Sequence, residues 1–285
     1  EWAMPSDADI IAGQIAPYRE QLADADAIVF VGGTDHNLDC EGRDRTSMQF
    51  PQGQTELIRQ VSAINGKTIV VLMHGAPIDL PWIDRVPAVL DMFFPGMEGG
   101  TAMADILFGD ADPSGRLTFS WPERLEDSPV YELATQDVDN VNYEDSLMVG
   151  YRYFDTKRVT PRYEFGYGLS YTTFDYSKMK VKKDGDNCVV TLHVKNTGSR
   201  DGAEVVQIYV GQKNCRYTRP VHELKAFDKV FLKPGESREV TFTLDKDAFS
   251  YWNPDRRAWV RDSDEFTIEA GHSSRDIRRS AKVRF

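Results

Sequence analysis

The sequence predicts an α/β layer built on a mostly parallel sheet, followed by an all-β sandwich. Three observations carry that expectation. Short continuous apolar runs alternate with helix-period stretches as far as Pro113. Aromatic and turn residues then crowd together with no helical period. From Asp175 onward, alternating strands recur between Gly, Pro and Asn turns. A chain of 285 residues is long enough for two domains with separate cores. The boundary is expected at 172/173, giving 1–172 as the α/β domain with an aromatic-rich connecting segment and 173–285 as the sandwich.

The elements follow in order. Ile10, Ile11, Ile15 and Leu22 give a helical pattern over 8–22, weakened or kinked at Gly13 and Pro17. Residues 27–31 (AIVFV) read as a fully buried strand. Leu57, Ile58, Val61 and Ile64 form an apolar stripe, predicting an amphipathic helix over 53–64. Residues 68–73 (TIVVLM) form a second strand ending at His74 and Gly75, and 81–86 a short helix. A third strand is expected over 88–94 and a helix over 99–108. Sites in such sheets gather past the strands' carboxyl ends, which places loops 32–51 and 74–82 at the functional edge. In the sandwich, strands are expected over 188–194, 204–210, 225–232, 238–244 and 265–270.

Composition narrows the function. Hydrophobic content of 41% and charged content of 28% are those of a globular protein. A formal net charge of -11 disfavours broad contact with nucleic acid or an anionic membrane, because phosphate repels such a field. No apolar run approaches the ~20 residues of a membrane helix. Cys40, Cys188 and Cys215 are few and far apart, which argues against a disulfide-stapled mini-domain and a zinc site. No metal or cofactor is expected: ligand spacing for a metal is lacking, and so are a G-x-S-x-G elbow, a Walker loop and a dinucleotide fingerprint. The opening residues carry neither a signal peptide nor an initiator, so the chain is expected to start inside a longer gene product, with its compartment open.

The loop LDCEGRDRTSMQFP, 38–51, sets Asp39, Glu41, Arg43, Asp44 and Arg45 in seven positions around Gly42. A solvated turn with screened ion pairs, worth about 0–1 kcal/mol each, is one reading. A carboxylate held by fixed partners is the other.

Several segments bear on that choice. AIVFVGG with EGRDRTSMQFPQGQTELIRQV, TIVVLMHGAPIDLPWID, and FFPGMEGGTAMADILFGDADPSGRLTFSWP together resemble the second domain of family 3 glycoside hydrolases. VGYRYFD and YEFGYGLSYTTF continue the match. VKNTGSRDGAEVVQIYV and LKAFDKVFLKPGESREVTF resemble the fibronectin type III-like domain that ends many β-glucosidases of that family. The likeness runs along nearly the whole chain in order; any one motif alone would be weak.

The resemblance implies a retaining, exo-acting β-glucosidase whose nucleophile is an aspartate in a (β/α) barrel, with the acid/base glutamate coming from the α/β sandwich. It further implies that the barrel and the sandwich's opening strand lie outside this chain. A β-glucoside or oligosaccharide is then the expected substrate. The barrel is the expected partner, on the same gene product or another chain, and apolar surface beside the opening strand would favour association, a homo-oligomer included.

Glu41, in EGRDR, matches the family's acid/base position. Asp39 adds a nearby like charge. Asp44 and Arg45 are expected to pair with each other or with neighbouring backbone and so fix the loop, and Cys40 to be a buried packing thiol. Glu144, in YEDSLMVGYRYFD, is the competing carboxylate; relatives commonly carry Glu-Gly there, whereas Asp145 stands in for the glycine. Asp35 and Glu98 are weaker, Glu98 as a helix-start residue. His36, Asp39 and Arg45 are the candidate substrate-binding residues, while His74 is expected to tie down backbone. Trp121, Tyr151 and Tyr153 are candidate sugar platforms, with core packing the favoured reading. Two other functions compete: a non-catalytic carbohydrate-binding or scaffold module, and a β-xylosidase on the same scaffold.

Overall fold

The fold is that of a computed structural model, which describes residues 6–42, 45–131 and 142–285. The chain divides into two compact units, Glu1–Leu107 and Phe108–Phe285.

In the first unit, Ser6 opens helix α1 (Asp7–Ile15) through a capping box with Asp9. Pro17 converts the next turn to a 3₁₀ turn at Ala16–Tyr18, and α2 (Arg19–Asp24) resumes the path. Strands β1 (Ile28–Gly33), β2 (Thr68–Met73) and β3 (Ala88–Asp91) form a parallel sheet in the order β1-β2-β3. Helix α3 (Gln54–Ile64) starts after Gly53, whose φ of 70° suits a residue without a side chain. Its apolar stripe packs Val61, Leu57 and Ile64 against Ile11, Ile15, Leu22 and Ile28. Asn65 closes α3, donating through Nδ2 to the carbonyls of Leu22 (3.0 Å) and Ala25 (2.8 Å). Helix α4 (Gly99–Phe108) follows β3, with the Thr101 hydroxyl donating to Glu98 at its start (3.1 Å).

One expectation fails here. Strand β1 is not buried on both faces: Ile28 packs on the helical side, but Val29 and Val31 are 45% and 44% exposed. Among the described residues it pairs with β2 alone, at the sheet's edge, and a continuous apolar run does not by itself distinguish one covered face from two. Central β2 does bury Val70, Val71 and Leu72 completely.

In the second unit, the aromatic-rich segment contains a helix that the sequence reading did not foresee, α5 (Tyr151–Lys157). Its single apolar pair, Tyr151 and Phe154, is too short a pattern to register as a period. The sandwich joins a four-stranded antiparallel sheet, β12-β11-β6-β7, to a three-stranded one, β4-β5-β8. These strands are β4 (Phe174–Asp184), β5 (Asn187–Asn196), β6 (Gly202–Gln212), β7 (Glu223–Leu232), β8 (Ser237–Leu244), β11 (Glu265–Gly271) and β12 (Ile277–Arg284). A small hairpin, β9 (Tyr251–Asn253) with β10 (Ala258–Val260), sits between β8 and β11 in sequence. Alternate residues of both sheets, among them Val190, Leu192, Val206, Ile208, Phe242 and Ile268, close the core between them. No helix among the described residues is long and apolar enough to cross a membrane.

Candidate active site

Parallel pairing in register sets Gly33 opposite Met73 and Leu72 opposite Asp91, so the carboxyl ends of all three strands share one edge. The charged loop leaves β1 at that edge. Gln54, first residue of α3, clamps the exit: its Oε1 accepts from Gly33 N and its Nε2 donates to Gly33 O, both at 2.9 Å. A Cβ at Gly33 would overlap the Met73 carbonyl oxygen, so glycine permits this close strand approach.

Asp35 then organises a turn, accepting Asn37 N at 2.9 Å on its carboxylate and Leu38 N and Asp39 N on its carbonyl. The turn brings Asp39 back over the strand ends. Asp39 Oδ2 accepts the Thr34 hydroxyl and, at 3.1 Å, Gly75 N, while Oδ1 faces Arg45 Nη1 at 3.8 Å. Arg45 Nη1 also donates to Ala76 O (3.3 Å). Asp39 and Arg45 are thus brought together, with side chains 11% and 15% exposed. Glu41 projects from the same loop, exposed, beside Gly42 at φ 76°. His36 is exposed within the turn. Asp44, expected to pair with Arg45, lies outside the described residues, as does Arg43. Cys40 is exposed, correcting the expectation of a packing thiol: a short polar turn offers no apolar shell to receive it.

His74, at the end of β2, is fully buried. Its Nδ1 donates to Ala76 O (2.9 Å), the backbone tie expected of it, and its Nε2 lies 3.1 Å from Asp91 Oδ1. Asp91 and Gln54 were not singled out in sequence. The signals that could have found them are a carboxylate ending an apolar strand and an amide opening a helix directly after a Gly.

Comparison with known proteins bears on this edge. Residues 11–171 match the glycosyl hydrolase family 3 C-terminal domain, and 204–274 match the fibronectin type III-like domain. The chain belongs to glycosyl hydrolase family 3. It is 44% identical over 270 residues to the thermostable β-glucosidase B of Acetivibrio thermocellus, covering 93% of this chain and 36% of that protein. It is 40% identical over 266 residues to an exo-α-(1→6)-L-arabinopyranosidase of Bifidobacterium breve, covering 93% and 35%. The crystal structure of a family 3 β-glucosidase from Bifidobacterium adolescentis superposes with a TM-score of 0.93 at 38% identity, covering all of this chain and 42% of that one. The chain therefore spans about a third of the length of the curated family 3 relatives it matches.

The other carboxylate weighed for the family 3 acid, Glu144, belongs to the second unit. It is exposed in a turn, its N–H donating to Asn142 O (3.0 Å). Trp121 and Tyr151 are buried, packed on Tyr163 and Phe165 respectively, and Tyr153 stands edge-on to Phe154. Two ionic clusters in the same unit are centred on buried side chains, His222 and Glu204. His222 sits between Glu269 (Nδ1 to Oε2, 2.7 Å) and Asp155 (Nε2 to Oδ2, 3.2 Å), and Arg275 Nε donates to Asp155 at 2.6 Å. Burial alone would push the His222 imidazole down, but the hydrogen bonds to Asp155 and Glu269 raise it to about 9. Glu204 is fully buried and accepts from Tyr176 Oη (2.8 Å), Arg116 Nη2 (3.1 Å) and His272 Nδ1 (2.6 Å). Among the described residues, no group of three or more His, Cys, Asp or Glu side chains could hold a metal ion.

Proposed function

We propose that this chain is the acid/base part of a retaining, exo-acting family 3 β-glucosidase, with Glu41 as the proton donor. Residues 1–172 form the family 3 domain with its connecting segment, and 173–285 the fibronectin type III-like domain. The observation that carries the assignment is the contrast within one loop. Asp39 is held by three internal partners, whereas Glu41, two residues on, is exposed at the carboxyl edge of the sheet. A proton donor must reach the glycosidic oxygen, and an anchored loop with a free carboxyl suits that task.

Retaining hydrolysis needs a second carboxylate about 5–5.5 Å away as nucleophile, with the acid switching to base when water cleaves the glycosyl-enzyme. That nucleophile belongs to the barrel of the complete enzyme. Placing acid and nucleophile on different domains lets each have its own surroundings. The test is Glu41→Ala in the complete enzyme. Hydrolysis of alkyl β-glucosides should fall by about 10²–10⁴-fold, with a smaller loss on dinitrophenyl glucosides and partial rescue by azide. Full activity on alkyl glucosides would remove Glu41 from the mechanism.

The arabinopyranosidase relative, at 40% identity, supports a second reading in which the same acid serves another terminal sugar, as a β-xylosidase also would. Nitrophenyl β-glucoside, β-xyloside and α-L-arabinopyranoside assayed side by side separate these.

A further inference from the structure

We propose that Asp39 is a positioning residue for the proton donor, the last link of a polar chain tying the Glu41 loop to the ends of all three parallel strands. The inference rests on Glu41 being the acid.

The chain begins at Asp91, which ends β3 and faces His74 Nε2 at 3.1 Å. His74, after β2, donates to Ala76 O at 2.9 Å. The same carbonyl accepts from Arg45 Nη1 at 3.3 Å, and Arg45 in turn faces Asp39 Oδ1 at 3.8 Å. Asp39 Oδ2 closes the chain on Gly75 N (3.1 Å) and on the Thr34 hydroxyl, just past β1. A Cβ on Gly75 would sit 3.3 Å from Asp39 Cγ and 2.9 Å from the Phe94 ring, so glycine keeps this approach open.

Both Asp39 oxygens are engaged inside the protein, which sets its role apart from that of a substrate ligand. With its side chain 11% exposed, it is shielded enough for these contacts to hold it in one place. Only Cys40 separates it from Glu41. The donor carboxyl must come within about 2.6–3.2 Å of the leaving oxygen, and a displacement near 1 Å can cost about 10²-fold. Fixing Asp39 therefore fixes where Glu41 begins.

The experiment uses the complete enzyme with Asp39→Asn, Thr34→Val and Glu41→Ala, assayed on β-glucosides from dinitrophenyl to alkyl. Asp39→Asn should lower kcat/KM on alkyl glucosides by about 10–100-fold, with a much smaller loss on dinitrophenyl glucoside. Thr34→Val, which removes one partner and leaves the carboxylate, should lose less in the same leaving-group-dependent way. In the Glu41→Ala background, Asp39→Asn should add no further loss on any substrate. An equal loss on every leaving group, alone or with a lower melting temperature, overturns the proposal, because it marks a general structural role. A raised KM at unchanged kcat also overturns it, marking a direct substrate contact. If Glu41→Ala depends on leaving group while both other variants do not, this inference fails and the acid assignment stands. If Glu41→Ala itself shows no such dependence, the acid assignment fails.

Discussion

His222 makes the stability of the second unit depend on alkaline pH. Its two ring nitrogens face Glu269 and Asp155, Arg275 completes the charge around Asp155, and the Tyr151 and Tyr209 rings pack beside the imidazole. The folded imidazole titrates at about 9 against 6.5 when free. At about 1.4 kcal/mol per pH unit, that difference is worth about 3 kcal/mol. Because the folded value is the higher one, the contribution is complete below pH 6.5. It declines as pH rises from there and is gone above about 9. Asp155 is held low through the same contact, so no second contribution is added for it. Urea unfolding of the chain from pH 6 to 10 should show this loss, and His222→Gln should lose about 3 kcal/mol less than the parent across that window. The amide of Leu224, which donates to Tyr151 Oη at 2.7 Å, gives a local reading by hydrogen exchange. If parent and variant curves run parallel from pH 6 to 10, the imidazolium between two carboxylates is not what stabilises this unit.

Two further substitutions probe the framework. Glu204→Ala removes the shared acceptor of Tyr176, Arg116 and His272 and leaves the 6%-exposed Arg116 side chain without its counter-ion. Urea unfolding should show a cost of about 3–5 kcal/mol. Gln54→Ala strips both Gly33 backbone groups of their side-chain partner, and the same measurement should register about 1–3 kcal/mol, with faster exchange at the end of β1.

The fold was legible wherever a pattern was long and unbroken. Strand β2 and helix α4 occupy the residues their apolar runs predicted, 68–73 and 99–108. Strand β4 was harder because its alternation changes phase. Phe174 and Tyr176 share one parity and Met179 and Val181 the other, across an irregularity at Lys178 with φ 52°. Strand β12 hides in IRRSAKVR, since charge on an edge strand masks the period while guarding the edge from pairing with other chains. Hairpin β9–β10 spans only three residues a side, below the length at which alternation is informative.

The candidate site divides along a similar line. Glu41 could be picked out as a candidate through the resemblance of EGRDR and its flanking motifs to family 3; the charges around Gly42 alone read equally as a solvated turn. Arg45 was expected to fix the loop, but the distant groups that hold it could not be named, because they are brought together by topology. Asp39 meets Gly75 from 36 positions away and Gln54 meets Gly33 across 21. A parallel sheet collects every strand's carboxyl end on one edge, so residues that end separate strands become neighbours whatever their spacing. His74 and Asp91 illustrate this: each reads as an isolated polar residue after an apolar run, yet side by side they begin the chain of contacts that reaches Asp39. A candidate proton donor can thus be named from a family motif in the sequence, whereas the contacts that hold its loop require the register of the sheet.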